Sequence, residues 1–191
     1  MPCAPYLTST SRCLAAATTV KERRLSELTA VEEPAWPHLV ETIDRSPLDV
    51  QVVPGDRAVG ESTLLQLQIT TRSWLGAVTA STGGLVVDHG WLRIYGGPEV
   101  SSMLPGLPQV NDFPARPAAD WRPTYGLVIA HDVLGGVYAL NPADPTVWGR
   151  PGQPGEVVYF APDSMTWQPL GTGHGAWLSW ILSGGLEQIY Q

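Results

Sequence analysis

A chain of 191 residues is long enough to bury the core of one domain, and it holds no run of about 20 apolar residues that could cross a bilayer as a helix. The formal net charge of −7 is unevenly placed: residues 1–24 carry +3 and the remainder carries −10, so the body repels a phosphate backbone and nucleic-acid binding through it is disfavoured. The two cysteines, Cys3 and Cys13, exclude a disulfide framework and make a reducing, cytoplasmic setting the expectation.

Residues 1–20, rich in Ala, Ser and Thr, read as a disordered tail. Their first eleven residues hold no positive charge, and the apolar run from Cys13 to Ala17 is too short for a signal core. Residues 21–191 read as a single domain. Leu25, Leu28 and Val31, then Trp36, Leu39, Val40 and Ile43, recur at helical spacing and predict two short helices divided near Pro34, with Pro37 in the first turn of the second. Val50–Val53 predicts a strand stopped by Pro54-Gly55, after which Asp56 caps a third helix carrying Leu64, Leu65 and Leu67.

The period then changes. Leu75–Ala80, Gly84–Asp88 and Trp91–Tyr95 predict three strands of an antiparallel meander, with hairpins at Thr82-Gly83 and Asp88-His89-Gly90. Six prolines and no clear period make residues 98–123 a long covering or functional segment. Tyr125–Ala130 and Val137–Leu140 predict strands on either side of His131–Gly136, and a second proline-rich loop follows at 141–155. Val157–Phe160 is a further strand and Trp167 marks a short one. Trp177, Leu178, Ile181, Leu182, Leu186, Ile189 and Tyr190 trace the apolar face of a terminal helix that His174 enters. The fold class is therefore α+β: a single antiparallel or mixed sheet with helices at the N- and C-terminal ends.

Catalytic signatures are missing. The sole lysine is Lys21, which excludes a P-loop, and no G-x-S-x-G, H-E-x-x-H or C-x-x-C occurs. No cofactor or metal is expected. Asp88-His89 and His131-Asp132 each stand at a strand end, and their convergence would give the nitrogen and oxygen ligands of a small hydrolase or metal- or ligand-binding enzyme; as turn formers, the same residues carry no chemistry. Arg93 lies between Trp91 and Tyr95, a composition common at protein interfaces. Asp88, His89, Trp91, Arg93, Tyr95 and Asp132 are thus the candidate binding surface, and the acidic body favours a basic protein partner.

Four segments resemble the bacterial domain-of-unknown-function family 2625: Glu33-Pro34-Ala35-Trp36; Thr70-Thr71-Arg72-Ser73 with Leu75-Gly76-Ala77; Gly83-Gly84-Leu85 with Asp88–Arg93; and Asp132–Gly136 followed by Val157, Tyr159 and Phe160-Ala161-Pro162-Asp163. The resemblance runs from about Leu25 to Tyr190. At the level of element order the chain also resembles the SUKH superfamily, which implies an α+β fold and a non-enzymatic, immunity-like role of binding a protein.

Overall fold

The computed structural model describes residues 22–98 and 103–188, so the expected tail lies outside the described residues. Two short helices open the fold, α1 (Leu25–Thr29) and α2 (Trp36–Asp44), the latter with a proline in its first turn. Leu28 and Leu39 are their fully buried anchors. Backbone bonds from Thr71 N to the Leu28 carbonyl (2.9 Å) and from Ala35 N to the Thr71 carbonyl (2.8 Å) tie the link between them to the segment before the fourth helix.

Strand β1 (Val50–Val53) leads into α3 (Arg57–Leu67). As expected, Asp56 caps that helix, its carboxylate accepting from Ala58 N at 2.7 Å and Val59 N at 3.1 Å. Residues 74–81 correct the expectation of a strand: Trp74–Ser81 is helix α4. Ser73 initiates it, its hydroxyl accepting from Gly76 N at 3.0 Å. Leu75 through Thr79 are all buried, since α4 packs on α2, α3, α6 and β2. A helix enclosed on every side has no polar face, so its sequence shows no 3.6-residue period and imitates a buried strand. Thr82-Gly83 accordingly joins a helix to a strand and is not a hairpin.

The remaining strands are β2 (Gly84–Val87), β3 (Leu92–Tyr95), β4 (Leu127–Asp132), β5 (Val137–Leu140), β6 (Glu156–Ala161) and β7 (Thr166–Gly173). All seven lie in one sheet in sequence order, each antiparallel to its neighbour. Strand β7 is longer than the short element expected around Trp167. It forms a sheet edge, where the missing N–H of Pro169 is tolerated. A short helix, α5 (Leu107–Val110), punctuates the proline-rich segment and sends Leu107 into the core. The last helix, α6 (His174–Leu182), stops earlier than its apolar pattern; Gly184 then takes φ +93° and a 3-10 turn follows over Gly185–Gln188. The expected helical residues Ile189 and Tyr190 lie outside the described residues.

Alternation along the strands divides the sheet into two faces. One carries Leu85, Val87, Leu92, Ile94, Ala130, Tyr138, Val157 and Tyr159, all buried, and packs against α4 and α6, where Trp177 meets the ring of Tyr138 at 5.3 Å. The other face is less covered and holds the residues of interest.

Candidate functional site

One line of directly paired residues crosses that second face from edge to edge: Gln51, Val86, Arg93, His131, Val137, Phe160 and Trp167, each opposite the next in register. Gln51 is exposed and the other six are half-buried. The line depends on a bulge in β4. Val128 pairs with Ala139 and Ala130 with Tyr138, so the strand gains one residue and His131 returns to the face of Val137.

Arg93 is the third residue of this row, between Val86 and His131. Its Nη2 donates to the Gly83 carbonyl at a long 3.3 Å, while Nε and Nη1 are buried without an acceptor. Burial pulls its pKa below the ordinary arginine value, an effect that the nearby Tyr95 oxygen partly offsets. Tyr95, two residues along the same strand face, is buried and shares a 2.7 Å hydrogen bond with His131 Nδ1. Burial pushes the Tyr95 hydroxyl up; it pushes the His131 imidazole down, partly opposed by the charge of Asp132.

The β7 end of the row is aromatic. Phe160 and Trp167 lie 5.3 Å apart, and the guanidinium carbon of Arg150 sits 3.8 Å from the centre of a Trp167 ring. Arg150 follows a 3-10 turn (Thr146–Trp148), and its backbone N–H donates to the Pro145 carbonyl at 3.0 Å. Burial lowers its pKa too, and its Nη1 has no hydrogen-bond acceptor. Glu156 does not reach it: its two oxygens accept from Gln153 N at 2.8 Å and Gly171 N at 2.5 Å. Near Arg150, the rings of Tyr125 and Trp148 meet at 4.3 Å and a tilt of 60°, both exposed.

The six residues of the expected surface therefore separate. Arg93 and Tyr95 share one sheet face, Arg93 half-buried and Tyr95 buried in the core cluster. Asp88 and His89 form the β2–β3 turn, both with positive φ (52° and 54°), and His89 Nδ1 lies 3.3 Å from the Asp49 carboxylate. Trp91 is half-buried against the core, its carbonyl accepting from Val133 N at 3.0 Å. Asp132 points the opposite way from His131 and is buried. Its carboxylate accepts from Leu134 N (2.9 Å), Gly136 N (2.8 Å) and the Tyr159 hydroxyl (2.8 Å). This closes the β4–β5 hairpin, and a side chain at Gly136 would overlap both Asp132 and Tyr159. The Asp-x-x-x-Gly motif and the distant tyrosine are thus one structural lock. Among the described residues no group of three or more His, Cys, Asp or Glu side chains is placed to hold a metal ion, which removes the four-residue metal centre.

Sequence reasoning missed Arg150, Phe160 and Trp167 as members of the face. The signal lay in Trp148-Gly-Arg150 within the loop, but only the strand register connects it to Arg93. A separate depression of about 600 Å³ runs along α3, between Val59, Thr63 and Gln66 on one side and Pro108, Phe113 and Pro117 on the other. Gln66 closes one end of it by bonding both backbone groups of Ala118.

The family described as "Protein of unknown function DUF2625" matches residues 25–191. The chain belongs to that family. Among relatives of the chain, a putative uncharacterized protein YbfG of Escherichia coli (strain K12) is 35% identical over 175 residues, covering 88% of this chain and 73% of that protein. An uncharacterized protein of Haemophilus influenzae is 35% identical over 169 residues, covering 87% of this chain and 70% of its own. No solved structure matches the chain. The hairpin lock explains in physical terms one segment by which the DUF2625 resemblance was recognised. Likewise, no described helix is long and apolar enough to cross a membrane.

Proposed function

We propose that the chain is a non-enzymatic binding module, immunity-like and cytoplasmic, that holds a protein partner against the open face of its sheet. The observation that carries this reading is the seven-residue row, with Arg93 third along it and the Arg150–Trp167 stack at its β7 end. Aromatic and arginine side chains on a rigid strand scaffold are the composition that supplies most binding energy at protein interfaces. Helices α4 and α6 pack on the opposite face, so a partner can approach the row without displacing them. The likeness in element order to the SUKH superfamily supports the same reading by analogy.

The test is capture of interacting proteins by the native chain and by Val137→Asp and Trp167→Asp variants whose unfolding midpoints match it. Both side chains are half-buried on the row, and a buried carboxylate there opposes docking without touching the helix-side core. A partner held by the native chain and released by both variants supports the module. A partner held equally by all three places the interface elsewhere.

A further inference from the structure

Resting on the reading that this row is a docking face, we infer that it receives an acidic segment of the partner protein, one carboxylate set against Arg93 and a second against Arg150, in place of the basic partner that the net charge of the body alone suggests. The charge pattern of the molecule motivates this. Three exposed arginines at or in helices have acidic neighbours, Arg24 with Glu27 at 3.5 Å, Arg45 with Glu41 at 3.7 Å and Arg57 with Glu61 at 2.7 Å, and four more, Arg23, Arg72, Arg116 and Arg122, have no ion pair among the described residues but are exposed. The two arginines drawn down onto the sheet have none among the described residues, though the chain holds 18 acidic side chains. Water serves an exposed guanidinium. Arg93 and Arg150 hold nitrogens closed off from water with no acceptor, a costly state that an incoming carboxylate relieves. Arg93 can turn towards it by giving up only the 3.3 Å contact to Gly83. The planar fork of an arginine matches both oxygens of a carboxylate.

The row also sets the spacing. From β3 to β7 are four inter-strand steps of about 4.8 Å, or roughly 19 Å. An extended segment rises about 3.3 Å per residue and covers that distance in about six residues. His131, Val137 and Phe160 lie between Arg93 and Trp167. The matching sequence therefore has two acids about six residues apart with apolar or neutral residues between them, and it runs across the strands.

The experiment uses the full chain labelled with nitrogen-15 and follows the side-chain Nε–Hε resonances of Arg93 and Arg150. The probe is an end-capped heptapeptide with Glu at both ends and Leu and Ser between. Controls are the same peptide with one Glu replaced by Gln, and inorganic phosphate at matched ionic strength. The inference expects both resonances to move along one saturation curve. It also expects at least a tenfold loss of affinity with the Gln peptide, and with Arg93→Met or Arg150→Met. Arg93→Lys and Arg150→Lys, which keep the charge and lose the fork, should give smaller losses and guard against a folding defect in the Met variants. The inference is overturned if neither resonance moves, if the Gln peptide binds equally well, or if phosphate moves both as strongly as the peptide. A native partner that docks on the row without dependence on its acids would leave the docking reading standing and remove this one. A peptide that binds both arginines while the native partner docks elsewhere would do the reverse.

Discussion

The Tyr95 hydroxyl and His131 Nδ1 lie 2.7 Å apart across β3 and β4, beside the Arg93–His131 cross-strand pair. Burial holds the His131 pKa below its ordinary value, so the ring is neutral at pH 7 and can accept the tyrosine proton at Nδ1. A hydrogen bond donated to the neutral ring opposes its protonation. Tyr95→Phe is therefore expected to raise the His131 pKa towards its usual value, as read by a pH titration of the imidazole resonances. A fall would show that the bond runs in the other direction.

Asp132 predicts a stability effect without a binding effect. Asp132→Ala leaves Leu134 N, Gly136 N and the Tyr159 hydroxyl without their carboxylate, at a cost of roughly 3–4 kcal/mol. Asp132→Asn, which keeps one acceptor, should cost about half as much. Urea unfolding measures both. An Ala variant within about 0.5 kcal/mol of the native chain would refute the lock.

Two adjacent glycines in the same turn should behave differently. Gly135 has φ +90° and open space around it, so Gly135→Ala should cost about 1 kcal/mol from backbone strain alone. A methyl group at Gly136 meets Asp132 and Tyr159, so Gly136→Ala should cost about 3 kcal/mol or more. Equal losses in thermal or urea unfolding would contradict the placement of the Asp132 carboxylate.

His174, the first residue of α6, is buried, neither ring nitrogen has a partner, and burial lowers its pKa to about 4. The unfolded chain therefore takes up a proton at a higher pH than the folded one. The stability difference is fully present above about pH 6.5 and is lost as pH falls towards 4, by on the order of 3 kcal/mol. His174→Leu should flatten that stretch of the stability curve. An unchanged slope between pH 6.5 and 4 would show that another group sets it.

Much of the fold was legible because its elements carry ordinary signals. Asp56 announces α3, Pro54 ends β1, and the alternation of Leu92, Arg93, Ile94 and Tyr95 assigns two faces to β3. The α4 segment was not legible, because Leu75–Thr79 is buried all round and a run of that length has no period to read. Strand β7 was largely hidden because its Pro169 and Gly171 resemble loop residues and are permitted only by its edge position. For the site, strand alternation revealed Arg93 and Tyr95. The full row was beyond it, because pairing His131 with Arg93 and Trp167 with Phe160 depends on a bulge and on register. Asp132 looked functional because a charged residue at a strand end can face either way; here it faces the core.

The central claim is that partners meet the molecule on the open sheet face. The most direct test places a photo-crosslinking phenylalanine analogue at Val137, at Phe160 and, for comparison, at exposed Glu41 on α2, and irradiates living cells that contain the native partner. The docking account predicts one protein adduct common to positions 137 and 160 and absent at 41. Adducts at position 41 with none on the row would contradict it and move the interface to the helical side.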